Sequence, residues 1–164
     1  TNLQGLTGLI TYDALHRPEH YVCYNSIGVK VKEIDLRYNE QNQKVFEKHY
    51  RLKEGKVIDH YLIKWSYDLH GKLSEICEGV GTVLEKRSYY FYNLAGKLEK
   101  MIQPSGVELN YFYNDPGHLT RLQASDHSIH YSYIYDDRAR LTQIEDLHLG
   151  KNQTALRTNH TGVE

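Results

Sequence analysis

The sequence predicts an all-β protein, built from tandem β-hairpins joined in one continuous antiparallel sheet. A motif of Tyr followed by Asp or Asn recurs along the chain, and apolar or aromatic residues alternate with other residues before its best copies. Asp or Asn follows each anchor tyrosine, and Gly follows three residues later in three of the copies; all three residue types favour chain reversal. Repetition of this kind at a period of 20 to 30 residues is typical of proteins made of stacked repeats.

The four clearest copies of the motif are spaced 25, 21 and 22 residues apart, and two degenerate copies precede them. The six anchor tyrosines are Tyr12, Tyr38, Tyr67, Tyr92, Tyr113 and Tyr135. Together the copies cover residues from about 8 to 146. The region 1–150 is therefore predicted to be one repeat region of about twelve short strands, and 151–164 a polar, frayed or truncated tail.

A strand is predicted before each anchor and a tight turn after it. Trp65 and Tyr67 are two residues apart, and this period places alternate side chains on one face of a strand. The residues 68–71 that follow begin with Asp and end with Gly, as in a type I turn whose side-chain oxygen caps the backbone. We expect positive φ at Gly71 and at Gly96, which ends the next turn.

A second strand is predicted after each turn, beginning with a leucine. In the copy anchored at Tyr67, Leu73 is followed by Ile76, and this spacing of three would place the two side chains on opposite faces of a regular strand. Either a β-bulge intervenes or both faces are partly covered. Two turns depart from the pattern, because Pro116 suits its turn position poorly and Ala139 stands where glycine would be. We therefore expect the last two turns to differ from the others in detail.

The residues that define the repeats are predicted to be structural. They are Tyr12, Tyr38, Tyr67, Asp68, Gly71, Leu73, Tyr92, Asn93, Gly96, Leu98, Tyr113, Asn114, Gly117, Leu119, Tyr135, Asp136 and Leu141.

The motif Tyr-Asp-x-x-Gly-Lys-Leu, complete at residues 67–73, resembles the YD repeat of the Rhs family. That family includes bacterial polymorphic toxins, the C subunits of insecticidal toxin complexes and the teneurins. The resemblance implies a curved or spiralling sheet that forms a section of a β-shell around a C-terminal toxin. It also implies that the parent protein is bacterial and secreted or displayed at the cell surface, and that the partners of this chain are the rest of that protein and its enclosed toxin.

Few features of the sequence support a catalytic, metal-binding, nucleic-acid-binding or membrane-spanning role. The formal net charge is −1, which gives no electrostatic reason to expect nucleic acid, and there is neither an apolar run long enough to span a membrane nor a targeting signal. Cys23 and Cys77 are too sparse for a disulfide framework or a zinc site, so two unpaired, half-buried thiols are expected. We predict no catalytic, metal-binding or cofactor-binding residue, and no enzyme.

The predicted function is structural, as a repeat module in the wall of a β-shell that encloses or presents a toxin-like C-terminal polypeptide. The alternative is a cell-surface carbohydrate-binding or adhesion module, in which aromatic side chains on one sheet face stack against a glycan. The consecutive aromatic residues 89–92 provide such a surface. Open sheet edges also predict self-association.

Overall fold

The computed structural model describes residues 5–148 and the backbone of residues 154–155. Contacts divide the chain into two compact units, Thr1–Ser88 and Tyr89–Glu164. All the regular elements within the described residues are β-strands, so the prediction of an all-β protein is confirmed.

The first unit contains six antiparallel strands that pair in sequence order. They are β1 (Thr7–Tyr12), β2 (Pro18–Tyr24), β3 (Lys30–Tyr38), β4 (Lys44–Lys53), β5 (Lys56–Tyr67) and β6 (Leu73–Glu78). This order is that of successive hairpins, as the alternation of strand and turn signals predicts.

The second unit continues the same construction, also with antiparallel pairing in sequence order. Its strands are β7 (Lys86–Tyr92, of which the last four residues lie in this unit), β8 (Leu98–Ile102), β9 (Glu108–Tyr113), β10 (Leu119–Ala124), β11 (His130–Tyr135), β12 (Leu141–Asp146) and β13 (Thr154–Ala155). In β13, Ala155 pairs with Ile144. The rest of the predicted tail, 151–164, lies outside the described residues.

Every anchor tyrosine ends a strand, and the leucines predicted to begin strands do so. Tyr67, for example, is the last residue of β5, and Leu73 is the first residue of β6. The remaining anchors end β1, β3, β7, β9 and β11 in the same way. The sequence motif therefore marks one sharply defined place in each hairpin, where the chain leaves one strand and enters a turn.

A β-bulge accounts for the spacing of three between Leu73 and Ile76. Ser66 pairs with Glu75 but Tyr67 pairs with Leu73, so Ser74 is the extra residue. Because directly opposed residues share a face, Leu73 and Ile76 both lie on the face that carries Tyr67 and Trp65. The corresponding shifts follow the turns after Tyr38, Tyr92, Tyr113 and Tyr135. Of the two alternatives left by the sequence, the structure has the bulge.

The register between successive hairpins is constant even though the repeat length varies. The eighth residue after one anchor pairs with the third residue before the next. This rule holds for the pairs His20 and Asp35, Phe46 and Lys64, Lys100 and Asn110, and Arg121 and Ser132. Repeats of different length therefore differ at the strand ends that lie away from the anchor turns.

The hydrophobic core is thin. Among the described residues, the buried apolar side chains are Val22, Cys23, Cys77, Leu109 and Ala124. The two thiols are unpaired, as predicted, but they are buried rather than half-buried, with 6% and 5% of their surface exposed. Each unit is thus a single sheet layer in which most aromatic side chains are only partly covered.

Candidate functional site

The turns after the anchor tyrosines share one hydrogen-bonding scheme. In the turn after Tyr67, Asp68 donates its backbone N–H to the carbonyl of Lys72 at 2.7 Å, and Gly71 donates to the carbonyl of Asp68 at 3.0 Å. Asp68 Oδ1 accepts from the backbone N–H groups of His70 and Lys72 at 2.8 and 2.9 Å. The bond from Lys72 is the main reason that the pKa of Asp68 lies below its ordinary value.

The last turn residue has positive φ in all six copies. Gly71 and Gly96 both have φ of +76°, as predicted. His16 and Asn42 take the same conformation in the first two copies, with φ of +60° and +62°. Both residue types tolerate the left-handed region better than most, because a short polar or ring side chain can be accommodated there.

The expectation that the last turn differs because of Ala139 is wrong. Ala139 has φ of +61° and donates to the carbonyl of Asp136 at 2.9 Å, as glycine does elsewhere. Arg140 also contacts the turn, with its Nε 2.7 Å from Asp136 Oδ2. The turn that contains Pro116 also keeps the backbone bonds of the others, but proline has no N–H to donate to the Asn114 side chain.

Three anchor tyrosines tie one repeat to the preceding one through their hydroxyl groups. Tyr67 donates to the carbonyl of Lys44 at 2.7 Å, Tyr113 to Leu98 at 2.8 Å and Tyr135 to Leu119 at 2.9 Å. In every case the acceptor is the sixth residue after the preceding anchor and the first residue of its strand. Burial is the leading reason that the pKa of Tyr113 is raised, so this hydroxyl stays protonated as a donor.

In two copies the residue five positions after the anchor donates a hydrogen bond to the turn of the next repeat. Gln43 Nε2 donates to the carbonyl of Gly71 at 2.5 Å, and Lys97 Nζ donates to the carbonyl of Gly117. Lys97 also lies over the ring of Tyr113, with Nζ 5.2 Å from the centroid. The turns are therefore joined side by side along one edge of each unit.

Within each unit the anchor tyrosines share one face, as the strand registers require. Other side chains pack on their rings. His118 stacks on Tyr135 with centroids 5.0 Å apart, and the guanidinium carbon of Arg17 lies 4.8 Å from the centroid of Tyr38. His118 and Arg17 occupy the same position in their repeats, five residues after an anchor. The tyrosine row is thus interleaved with cationic and imidazole side chains.

The opposite face carries pairs of a phenylalanine and a cation in direct register. Arg121 lies 3.9 Å from the ring centroid of Phe112, and Lys100 lies 5.1 Å from that of Phe91. Phe91 and Phe112 are 44% and 38% exposed. Partial cover by the long cationic side chains reduces the apolar surface that these phenylalanines present to water.

In the first unit, a polar cluster lies on the face opposite the anchor tyrosines. It was not predicted from the sequence. Asp35 Oδ2 accepts from the Tyr50 hydroxyl at 2.5 Å, and Asp35 Oδ1 lies 2.5 Å from His20 Nδ1. The bond to Asp35 raises the pKa of Tyr50 to about 12. Burial alone would raise the pKa of Asp35, but its bonds to Tyr50 and His20 outweigh this and lower it.

The three side chains of the cluster come from three strands. The sequence alone does not show that they meet, because this depends on the register between the strands. His20 and Asp35 obey the eight-and-three pairing rule, while Tyr50 pairs with Glu33 beside them. Across the described residues no group of three His, Cys, Asp or Glu side chains has the arrangement of a metal site. No helix in that part of the chain has the length and apolarity needed to span a membrane.

Comparisons with known proteins give weak likenesses only. No protein-family model and no curated protein matches the sequence. Among solved structures, the Photorhabdus luminescens Tc holotoxin pore with the TccC3 substitution D651A is 14% identical, with a TM-score of 0.47 over 88% of this chain and 11% of that one.

A second similar structure is TcdB2-TccC3 without its hypervariable C-terminal region, at 11% identity, with a TM-score of 0.48 over 92% of this chain and 11% of that one. A third is TcdB2-TccC3-TEV, at 14% identity and a TM-score of 0.46, over all of this chain and 12% of that one. This chain thus spans about a tenth of the length of these structures.

Proposed function

We propose that this chain is a structural repeat module in the wall of a β-shell, which encloses or presents a toxin-like C-terminal polypeptide in a protein of the Rhs type. The observation that carries the proposal is the constant inter-hairpin register combined with the thin core. A rule that fixes how each hairpin pairs with the next allows a sheet of any length to be built by repetition. The partners proposed are the rest of the parent protein and its enclosed polypeptide.

Two further features support a wall. Side-chain links between repeats run along the sheet, through tyrosine hydroxyls and the turn edge, in addition to the backbone pairing of neighbouring strands. The described polar clusters are satisfied by partners within the sheet, with no buried side-chain N or O atom left unpaired. We assign no catalytic role to the chain, and we place the parent protein outside the cytoplasm, secreted or at the cell surface.

Limited proteolysis of the complete parent protein tests the proposal. If the repeats form an enclosing wall, the C-terminal polypeptide survives protease that digests the same polypeptide expressed alone. Tyr113→Ala, which removes an inter-repeat bond, should open the wall and expose the C-terminal polypeptide. Leu94→Ala, at a fully exposed turn tip, is the matched control and should leave protection unchanged. A C-terminal polypeptide that is digested equally fast in the intact parent protein would exclude the enclosing role.

A carbohydrate-binding role is the second candidate, favoured by one groove in the first unit. This groove, of about 580 Å³, is lined in part by Gln41, Trp65 and His70, a combination of aromatic and hydrogen-bonding side chains that suits a sugar ring. Lys44 Nζ, however, lies 4.1 Å from the centroid of the Trp65 ring and covers one of its faces. Sugar stacking on that face would require Lys44 to move, so we rank this candidate below the shell wall.

A further inference from the structure

One end of the first unit carries a row of exposed aliphatic side chains. This is the end opposite the anchor turns, where three successive connections between strands lie, at residues 25–29, 54–55 and 79–85. Each connection, or the strand beside it, bears one or two branched aliphatic residues that are open to solvent. These residues, which are 47% to 102% exposed, are Ile27, Val57, Ile58, Val83 and Leu84.

The three connections are neighbours in space. Adjacent strands of a sheet are about 4.8 Å apart, so successive connections at one end lie about 10 Å apart. A Cβ at Gly55 would lie 3.4 Å from Val29 Cγ1, which places the second connection against the first. Val80 donates its N–H to the carbonyl of Leu62 at 3.2 Å, which places the third connection against β5. The five aliphatic residues therefore form one surface, which we call the aliphatic end.

Hydrogen bonds within the third connection hold Val83 and Leu84 in their exposed positions. Thr82 donates both its backbone N–H and its hydroxyl to the carbonyl of Gly79, at 3.0 and 2.7 Å. Leu84 donates its N–H to Thr82 Oγ1 at 3.2 Å, and Glu85 donates its N–H to the carbonyl of Thr82 at 3.2 Å. The loop is thus closed by its own bonds, and its two aliphatic side chains are presented outward.

Positive charge borders the aliphatic end. Lys53 and Lys56 flank the second connection and Lys86 follows the third. All three lysines are exposed, and none of them forms an ion pair with a described residue. Glu54 is the exposed acid in the second connection, and it offsets one of these charges. Two other exposed acids at this end are paired with arginines, Asp59 with Arg51 and Glu85 with Arg87.

The corresponding end of the second unit has a different composition. Its connections at residues 103–107 and 125–129 contain mainly polar residues, with Pro104, Ser105 and Asp126 among those exposed. Neither connection bears an exposed large apolar side chain. The aliphatic end is therefore a specific property of the first unit, and the repeat construction itself does not require it.

The aliphatic end fits the surface of an anionic bilayer better than a protein partner. Protein–protein interfaces are depleted in lysine, and their centres are enriched in aromatic residues and arginine. The aliphatic end instead combines lysine with branched aliphatic side chains, and it projects rather than forming a pocket, since Val83 is fully exposed. Apolar side chains that enter the headgroup region and lysines that attract anionic lipids together hold peripheral proteins at a bilayer. We infer that the aliphatic end docks on an anionic lipid surface.

Co-sedimentation of the full chain with large vesicles tests this inference. Vesicles of phosphatidylcholine and phosphatidylserine, in a ratio of about 7 to 3, should bind the chain at least about tenfold more tightly than vesicles of phosphatidylcholine alone. Raising NaCl from about 0.1 M to about 1 M should weaken the binding, because the Debye length falls from about 10 Å to about 3 Å.

Two double variants separate the charged from the aliphatic contribution. Lys53→Gln combined with Lys56→Gln should weaken binding about 25-fold, since each lysine near an anionic surface contributes about fivefold. Val83→Ser combined with Leu84→Ser should weaken it at least about tenfold, because less apolar surface enters the bilayer. All four side chains are exposed, so the melting temperatures should equal that of the parent chain.

Matched controls come from exposed anchor turns of the second unit. Arg138→Gln and Leu94→Ser should bind the vesicles as tightly as the parent chain. A tryptophan reports insertion directly, because lipids brominated on their acyl chains quench a nearby indole. Val83→Trp should be quenched by such lipids, whereas Leu94→Trp should show only the quenching of the parent chain, which arises from Trp65.

Four results would overturn the inference. The first is no binding to anionic vesicles at millimolar lipid, or equal binding to neutral ones. The second is double variants that bind as tightly as the controls, or Val83→Trp fluorescence that brominated lipids do not quench beyond the parent chain. The third is binding to polyglutamate as tight as to anionic vesicles, which would make an acidic protein the partner.

The fourth is self-association without lipid that Val83→Ser with Leu84→Ser abolishes, which would make a second copy the partner. Since none of these measurements involves the C-terminal polypeptide, their failure would leave the enclosing role to its own proteolysis test.

Discussion

The hydroxyl of Tyr113 donates a 2.8 Å hydrogen bond to the backbone carbonyl of Leu98, in the preceding repeat. This bond joins two places that the sequence motif defines separately, the end of one strand and the start of another. It recurs from Tyr67 to Lys44 and from Tyr135 to Leu119. The tyrosine of the motif is thus a link between repeats as well as the residue that precedes a turn.

Removal of the Tyr113 hydroxyl should destabilise the chain selectively. Tyr113→Phe is expected to lower the free energy of unfolding by about 0.5–1.5 kcal/mol, because the carbonyl of Leu98 loses its side-chain donor. Tyr111→Phe is the matched control, since it lies two residues away on the same face and the structure shows no bond from its hydroxyl to a described residue. Urea denaturation of both variants checks this prediction. Equal effects would mean that the hydroxyl bond contributes nothing specific.

Truncation of the whole ring tests packing. Tyr113→Ala should cost about 3–4 kcal/mol, in the lower part of the range for large aromatic residues because the ring is only partly buried. If the tyrosines instead served as a sugar platform, Tyr67→Ala, Tyr92→Ala, Tyr113→Ala and Tyr135→Ala would abolish glycan binding and leave the melting temperature nearly unchanged. Thermal melting and a glycan array, measured on these four variants, distinguish packing from sugar binding.

Substitutions at the left-handed turn position should change the stability in opposite directions in two repeats. Gly71→Val is expected to destabilise by about 1–3 kcal/mol, because a β-branched residue is strained at φ of +76°. Ala139→Gly should stabilise by up to about 1 kcal/mol, because glycine removes the strain at φ of +61°.

Urea unfolding midpoints measure both effects. A Cβ at Gly71 would meet only Gln43 Nε2, at 3.5 Å, so the loss there would arise from conformation rather than from a clash. A destabilised Ala139→Gly variant would contradict this account of the turn.

The Tyr50–Asp35 bond should make stability fall at alkaline pH. The pKa of Tyr50 is about 12 in the folded chain, above the ordinary value of 10.0. Its contribution is therefore fully present below pH 10 and is lost as the pH rises from 10 toward 12. Since other tyrosines also ionise in this range, the quantity to measure is the difference in melting temperature between the parent chain and Tyr50→Phe. That difference should shrink across this interval, and a constant difference would exclude the linkage.

The change of stability at acidic pH should depend on Asp35. Its pKa is lowered in the folded chain, so its contribution is present above the unfolded value and is lost as the pH falls through the folded value, in the region below pH 4. Asp35→Asn should therefore be less stable than the parent chain at neutral pH and approach it in acid. Melting curves from pH 7 to pH 2 test this, and a gap that widens in acid would contradict it.

The sequence by itself determined the all-β class, the places where strands end and the turn chemistry. Each of these depends on residues near one another in the chain. The carboxylate of Asp68, for example, caps N–H groups two and four residues away, and Gly71 adopts a backbone conformation that its own lack of a side chain permits. Local interactions of this kind leave a direct signature in the amino-acid order.

Tertiary structure decided what depends on the pairing of strands, both within a hairpin and between hairpins. The sequence alone left open whether a bulge separates Leu73 from Ile76, and it gave no indication that Ala139 would follow the glycine turns. In the Ala139 turn, alanine adopts a left-handed conformation that its side chain disfavours, and an ion pair between Arg140 and Asp136 lies within the same turn. The cluster of His20, Asp35 and Tyr50 likewise exists because a fixed register brings together side chains that lie 15 residues apart or more. Register is set by the alignment of whole strands, and a single stretch of sequence does not contain that alignment.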